Sequence, residues 1–248
     1  MPVVDVGAGI GPGAARRALD IVVAAISLCL LSPVLLAALA AARISTGASA
    51  LYRQRRVGQG GVPFTILKIR TMRPVPGPEV TVPGDSRVTR LGAVLRRSSV
   101  DELPQLVNVL LGAMTLVGPR PESIPLAVRY PADLRSVFRY RPGLTGPSQV
   151  LLHDEQELAR AGNAEEFYLT QLVPRRVAVD LHYLRQPTLR ATLRWLWATA
   201  RYLLPGPAPA APGAGPGRAG AERTSAERDN LGEPASARRS GSRHATRA

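Results

Sequence analysis

Two adjacent carboxylates, Asp101 and Glu102, stand in the stretch RRSSVDELPQLVNVLLG, residues 96–112, of a chain whose formal net charge is +14. Adjacent acids on a short arc can hold a hard cation such as Mg²⁺, which takes one or two carboxylates and fills the rest of its shell with substrate phosphates and water. A carboxylate can also act as a nucleophile on phosphorus, as in enzymes that pass through an aspartyl phosphate. Either chemistry requires cations around the phosphates, and the flanks supply them. Arg87, Arg90, Arg96 and Arg97 precede the pair, and Arg120 follows in a stiff turn between Pro119 and Pro121. The planar guanidinium bonds phosphate oxygens two at a time. A plainer reading stands beside these. Acids in a first helical turn meet the positive end of the macrodipole, worth about 0.3 to 1 kcal/mol, and Ser99 or Asp101 can cap the free amides.

The elements around the pair follow from periodicity. Leu103, Leu106, Val107 and Leu110 mark the buried face of a helix, with Asp101, Gln105 and Asn108 on the opposite face and Glu102 at the border. Pro104 is tolerated only in a first turn, so the spacing predicts a helix beginning near Asp101. Upstream, the alternation in VPFTILKIRTM, residues 62–72, predicts an extended segment with Lys68 and Arg70 on one face beside Phe64 and Ile66. Residues 73–86, rich in Pro, Gly and Asp, read as a loop. Downstream, Arg176, Asp180 and Tyr183 share one helical face, a pattern that by itself is an ordinary surface arrangement.

Residues 21–42 carry no charge and are long enough for a helix to cross a bilayer. Arg16 and Arg17 before an apolar run would also suit a signal peptide, but Asp20 at its start and Ser32-Pro33 at its centre do not. Arginines flank the segment on both sides, whereas a spanning helix concentrates them on the cytoplasmic side. Pro33 favours a bend. On these grounds a re-entrant helix and a plain span both remain open. Near the other end, LRATLRWLWATARYLL places Leu189, Leu193, Leu196, Trp197, Ala200 and Leu204 on one stripe and Arg190, Arg194 and Arg201 on another. Such a helix suits a membrane interface, or else packs on a core with a solvated basic face. After residue 204 the chain turns to Pro, Ala, Gly, Ser and Arg, a composition that buries too little apolar surface to fold.

At 248 residues the chain has room for one catalytic unit with appendages. Its charge calls for an anionic partner. Cys29 is the single cysteine, which excludes an internal disulfide framework, and three scattered histidines exclude a Cys/His metal cluster. No Gly-x-x-x-x-Gly-Lys loop is present, so this is no ordinary P-loop nucleotidase. Nucleic acid is a poor fit, because the basic residues gather around two acids and a membrane segment and aromatics for base stacking are scarce.

Taken in order, ARRALDIVVAAISLCLLSPVLL, KIRTM, DELPQLVNVLLGAMTLVGPRPE and YRPGLTGPSQV resemble the bacterial sugar transferase family, the monotopic phosphoglycosyl transferases, over residues 16–204. The resemblance implies transfer of a sugar 1-phosphate from a nucleotide diphosphate sugar, usually UDP-linked, to a polyprenyl phosphate such as undecaprenyl phosphate. It implies Asp101 as nucleophile and Glu102 as its partner in a Mg²⁺ site. Lys68, Arg96 and Arg120 fall where the family has phosphate-binding residues, Asp180 and Tyr183 match its Asp-x-x-Tyr, and Ser32-Pro33 match the break of its re-entrant helix. The fold expected is α-rich α/β, mostly helical with short strands. It would comprise a flexible arm (1–15), a re-entrant membrane helix (16–43), a compact cytoplasmic catalytic domain with interfacial amphipathic helices (44–204) and a disordered tail (205–248). The expected location is the cytoplasmic face of the cell's inner membrane, with self-association left open. Two departures stand out. Many members read Gly-Leu-Trp-Gln-Val where this chain has Gly146, Pro147, Ser148, Gln149 and Val150, which bears on sugar or acceptor contacts. The extra N-terminal membrane helices of larger members are lacking, as in the minimal catalytic form. The rival is a non-catalytic basic scaffold on the membrane, in which Asp101 is only a cap.

Overall fold

The fold is that of a computed structural model, which describes residues 1–152 and 155–203. Helix α1 (Ala14–Thr46) ends where Gly47 turns left-handed, at φ 66°, and returns its N–H to the Arg43 carbonyl; glycine takes that conformation without a Cβ clash. Strands β1 (Leu51–Val57) and β2 (Pro63–Ile69) form an antiparallel hairpin that sets Tyr52 opposite Lys68 and Arg56 opposite Phe64. Helix α2 (Arg90–Arg97), a 3₁₀ turn at Val100–Glu102 and helix α3 (Gln105–Leu110) follow. Strand β3 (Thr115–Val117), helix α4 (Ile124–Ala127) and strand β4 (Gly143–Thr145) come next, β4 running parallel to β3. The rest is helical: α5 (Pro147–Leu151), α6 (Glu155–Arg160), α7 (Ala164–Phe167), α8 (Val173–Leu184) and α9 (Leu189–Leu203). Among the described residues the chain is therefore mostly helical with short strands.

The charged residues that open α1 are structural ties. Asp20 is buried and accepts hydrogen bonds from the Leu116 amide (2.9 Å) and the Thr115 hydroxyl (2.7 Å). Arg16 donates to the Val117 carbonyl and lies over the Tyr183 ring, while Arg17 donates to the carbonyls of Val109 and Leu110 at the end of α3. The Val109 carbonyl also accepts from the Gly112 amide that closes α3, and a cation there suits the negative end of the helix dipole. Further along, Ala38 and Ala42 pack in a cluster with Ile69 and Leu95. Between Ala24 and Ala38 the helix shows Ile26, Leu30, Leu31, Val34 and Leu36 to the outside. Pro33 sits within that stretch and cannot donate to the Cys29 carbonyl; the Ser32 hydroxyl does so instead, at 2.8 Å.

Two glycines allow the close approaches on which the site depends. A Cβ on Gly92 would meet the Thr71 carbonyl oxygen at 2.1 Å, so the first turn of α2 rests directly on the end of the hairpin. One on Gly143 would stand 2.1 Å from the Gly118 nitrogen, where the ends of β3 and β4 touch.

The N-terminal arm, expected to be flexible, lies against the body. Val4 is buried, the Val3 amide donates to Gly61, and the Ile10 amide donates to Arg139. In α9 much of the apolar stripe faces outward: Leu189, Leu193 and Trp197 are 41%, 49% and 68% exposed. The inner face is made by the buried Thr192 and Ala198 with the partly buried Ala191, Trp195 and Leu196, and the Thr192 hydroxyl is bonded to that of Tyr183 at 2.8 Å. The tail expected to be disordered, 205–248, lies outside the described residues.

Candidate active site

The carboxylate pair sits on a turn between two helices. Thr89 caps α2 by accepting from the Gly92 amide, and α2 runs out at Ser98. Ser99 is left-handed (φ 55°), rare for a residue with a Cβ, and it redirects the chain. Glu102 and Leu103 then bond back three residues, to Ser99 and Val100, before α3 begins at Gln105. The spacing had predicted a helix from Asp101. The left-handed residue at 99 separates the pair from α2, and the first α-helical turn waits until after Pro104. Neither Ser99 nor Pro104 makes a side-chain cap, and no described amide bonds to Asp101 or Glu102. The capping role is not what the pair performs here.

Both faces of α3 are covered. Leu106 and Val109 face the core, and Gln105 and Asn108, the expected polar face, are also buried. Asn108 accounts for this: its Oδ1 accepts from the Leu67 amide (3.1 Å) and its Nδ2 donates to the Thr65 carbonyl (2.8 Å). One side chain thereby docks β2 onto α3 and fixes Lys68 beside the acids. Lys68 Nζ lies 2.6 Å from Glu102 Oε1.

The two acids differ sharply in environment. Asp101 is 7% exposed, and no described residue donates a hydrogen bond to its carboxylate. Burial pushes its pKa up to about 6, against the pull of Lys68, Arg96 and Arg120. For Glu102 burial acts in the same direction, but the Lys68 and Arg120 cations outweigh it and hold the carboxyl below its ordinary value. Arg96 donates through Nε to the Thr71 hydroxyl (2.9 Å) and is the one arginine of the 87–97 group brought to Asp101. Arg87 is instead paired with Asp85, and Arg90 and Arg97 are exposed.

Beside Glu102 and Lys68 opens a cleft walled by Ile66, Leu144 and Pro121. Arg120 reaches it from the turn after β3, with one 3.5 Å contact to Gln149 Oε1. Arg56, Gln105 and Gln149 line it too, and sequence reasoning had assigned none of them to the site. Gln105 follows Glu102 by three residues and could have been found by that spacing alone. Arg56 could not, because alternation in β1 does not say what lies across from it. Its partner Glu122 is buried, accepts from the hydroxyls of Tyr130 and Tyr168, and lies 3.6 Å from Arg56 Nη1.

Asp180 and Tyr183 are engaged elsewhere. Asp180 accepts from the Ser148 amide (2.9 Å) and hydroxyl (2.8 Å), which anchors the start of α5 and so places Gln149. Its pKa is pushed up to about 7, chiefly by burial. Tyr183 joins Thr192 of α9 and the Arg16 guanidinium. Arg176 stacks on Tyr168.

A mostly buried carboxylate with no described hydrogen-bond donor, within the pull of Lys68, Arg96 and Arg120 and next to the Glu102 that lines a basic cleft, is equipped to attack a phosphorus atom and to stabilise the phosphate that departs. Comparison with known proteins identifies relatives named as undecaprenyl-phosphate sugar-1-phosphate transferases. The sequence profile described as bacterial sugar transferase matches residues 12–206. A UDP-glucose:undecaprenyl-phosphate glucose-1-phosphate transferase of Caulobacter vibrioides is 41% identical over 195 residues, covering 76% of this chain and 69% of the relative. One of the same name in Escherichia coli is 35% identical, over 69% of this chain but only 36% of the relative. The exopolysaccharide production protein ExoY of Rhizobium meliloti is 36% identical, over 73% of this chain and 81% of the relative.

Proposed function

Because this chain belongs to the bacterial sugar transferase family, we propose that it transfers a sugar 1-phosphate from a UDP-sugar to undecaprenyl phosphate, releasing uridine monophosphate and starting a glycan such as an exopolysaccharide. The observation that carries the reading is Asp101: a buried carboxylate with no hydrogen-bond donor among the described residues, set between Lys68, Arg96 and Arg120.

Asp101 attacks the phosphorus that bears the sugar. A new Oδ–P bond forms as the P–O bond to the nucleoside monophosphate breaks, and the departing phosphate takes the electron pair. An oxygen of the polyprenyl phosphate then attacks the aspartyl phosphosugar, and the Asp101 carboxylate is freed. Lys68, Arg96 and Arg120 lower the repulsion between carboxylate and diphosphate, and the low-dielectric surroundings strengthen their effect. The donor set fits a hard divalent cation: Asp101 has two oxygens unclaimed by any described residue, and Lys68 bonds only Oε1 of Glu102. Among the described residues no third acid, His or Cys joins them, so phosphate and water would complete the shell. Magnesium held by Asp101 and Glu102 would neutralise part of the donor's charge.

The acceptor is a lipid, and two surfaces suit a membrane. The exposed apolar middle of α1 would enter the bilayer and return to the cytoplasmic face. The outward Leu189, Leu193 and Trp197 of α9, with Arg190 and Arg194 alongside, would lie at headgroup depth. Asp101→Asn keeps the shape and removes the nucleophile. It should lower uridine monophosphate release from UDP-glucose by at least about a thousandfold, as removal of a covalent catalyst does. A variant as fast as the parent chain would sink the mechanism.

A further inference from the structure

Thr71 lies two residues past the end of β2 and is buried, and the transfer described above makes no use of it. Backbone contacts fix its place. Its carbonyl accepts from the Thr89 amide at 3.1 Å, Met72 forms an antiparallel bridge with Val88, and Gly92 packs on the same carbonyl. The Thr71 hydroxyl is thereby set beside α2, where it accepts from Arg96 Nε at 2.9 Å. A guanidinium has five N–H groups. The tether uses one, and no described residue accepts from Nη1 or Nη2. Arg96 also has a second carboxylate within electrostatic reach: burial lowers its pKa, while Asp101 and Asp85 both favour its charge. Asp85 is already taken. The Arg87 amide, Nε and Nη2 bond its two oxygens at 2.7 to 3.1 Å, and the Arg87 cation repels Arg96 from that side.

Resting on the transfer described above, we infer that Thr71 is a positioning residue of the reaction: its hydroxyl holds the Arg96 guanidinium by Nε at Asp101, with both Nη groups left for the oxygens of the attacked phosphate. A long arginine side chain otherwise samples many rotamers, and tethering the cation before substrate arrives removes that entropy cost from the reaction. Fixed cations act most strongly in low-dielectric surroundings where charge develops, and Arg96 is partly buried there. The arrangement makes one strand the reference for both flanking cations. Lys68 of β2 lies 2.6 Å from Glu102, and Thr71, three residues on, sets Arg96 against Asp101. What position 71 must supply is an acceptor on a short side chain. Serine supplies it. Valine, with nearly the shape of threonine, does not, and it would leave the Nε–H of a partly buried cation without a partner.

The test is a double-mutant cycle on the full chain in detergent micelles, reading uridine monophosphate release from UDP-glucose. Thr71→Val should lower kcat/KM by roughly tenfold, the scale of a hydrogen bond to a charged group, and Thr71→Ser should stay within about threefold of the parent. In an Arg96→Met background the valine change should cost less than about twofold more, because no guanidinium is left to hold. A loss as large in that background as in the parent, or a serine variant as slow as the valine one, would mean that Thr71 acts through packing and overturns the assignment. So would a valine variant as fast as the parent. A second arm needs no turnover: modification by phenylglyoxal, located by mass spectrometry. Arg96 should react at least about threefold faster in Thr71→Val, while the exposed Arg97 beside it keeps the parent's rate. Unchanged Arg96 reactivity also overturns the tether. A parent chain that shows this pattern but releases no uridine monophosphate would sink the transfer reaction and not the hold of Thr71 on Arg96.

Discussion

Asp101 and Glu102 are neighbours in sequence and opposites in electrostatics. Lys68 is 2.6 Å from Glu102 and keeps it ionised, whereas Asp101 has only the more distant pull of Lys68, Arg96 and Arg120 against the cost of burial. A carboxylate with a pKa near 6 is more basic than an ordinary aspartate, and a more basic oxygen is a better nucleophile once ionised. The reaction should accordingly lose kcat/KM as pH falls through about 6, where Asp101 takes up a proton. Lys68→Met removes the cation that most favours the ionised form, so the Asp101 pKa rises and the acid limb moves to higher pH. Rate profiles between pH 5 and pH 9 would show it; a limb that stays put would mean Lys68 does not set this charge. At this scale the acids and a surrounding set of arginines, Arg120 among them, were legible, because an acid pair in a basic chain needs a cause; Lys68 and the choice of Arg96 among its neighbours came from the family resemblance. Gln105 was legible only as a polar residue on the face of Asp101, and its burial was not. Hydrophobic periodicity reports one buried face of a helix, and α3 is covered on its other face by a hairpin whose docking depends on Asn108.

Elements position these residues through a few buried polar ties, and Asp180 is the clearest. The sequence offered it as a site residue by resemblance, and its bonds hold Ser148 at the head of α5. A folded-state pKa of about 7 against an ordinary value near 3.8 means that the folded chain binds this proton more tightly than the unfolded chain. The stability it confers is full below the unfolded value and is lost as pH rises from there through about 7. Asp180→Asn can still accept from the Ser148 amide and donate to its hydroxyl, without a charge to bury. Its melting temperature should exceed the parent's by a few degrees at pH 8, with the gap closing towards pH 4. Thermal unfolding in detergent across that range reads it directly, and a variant less stable at every pH would show that the ionised form is net favourable. The delayed start of α3 belongs here as well. Pro104 announces a helix N-terminus, but the left-handed Ser99 that swings the acids out of α2 carries no sequence mark, since serine is common in every turn type.

On the scale of the whole molecule, the question is how α1 meets the membrane, which the residues alone left balanced between a span and a return. Thirty-three residues make a helix of about 50 Å, longer than the roughly 30 Å hydrocarbon layer. Its start is tied by Arg16 and Asp20 to β3, and its later turns pack through Ala38 and Ala42 against Ile69 and Leu95. Strand β2 ends at Ile69 and carries Lys68 to the acids, so both ends of α1 grip the body that holds the site. A spanning helix would put one of those ends across the bilayer from its partners and strip buried Asp20 of both its donors. The cost of an unpaired buried carboxylate is several kcal/mol, on the order of the whole net stability of a domain. Both ends should therefore remain on the cytoplasmic side. In a Cys29→Ser background, Ala8→Cys and Ser49→Cys, which flank the helix at exposed positions, should both resist an impermeant maleimide in intact cells and both react after lysis. Labelling of position 8 from outside with position 49 protected would establish a span and defeat the return. Thr115→Val sharpens the contrast by removing one donor to Asp20. It should weaken the grip at the start of α1 and lower the melting temperature in detergent, while leaving the labelling pattern of the inserted protein unchanged, because the contacts of Ala38 and Ala42 still hold the other end to the same body.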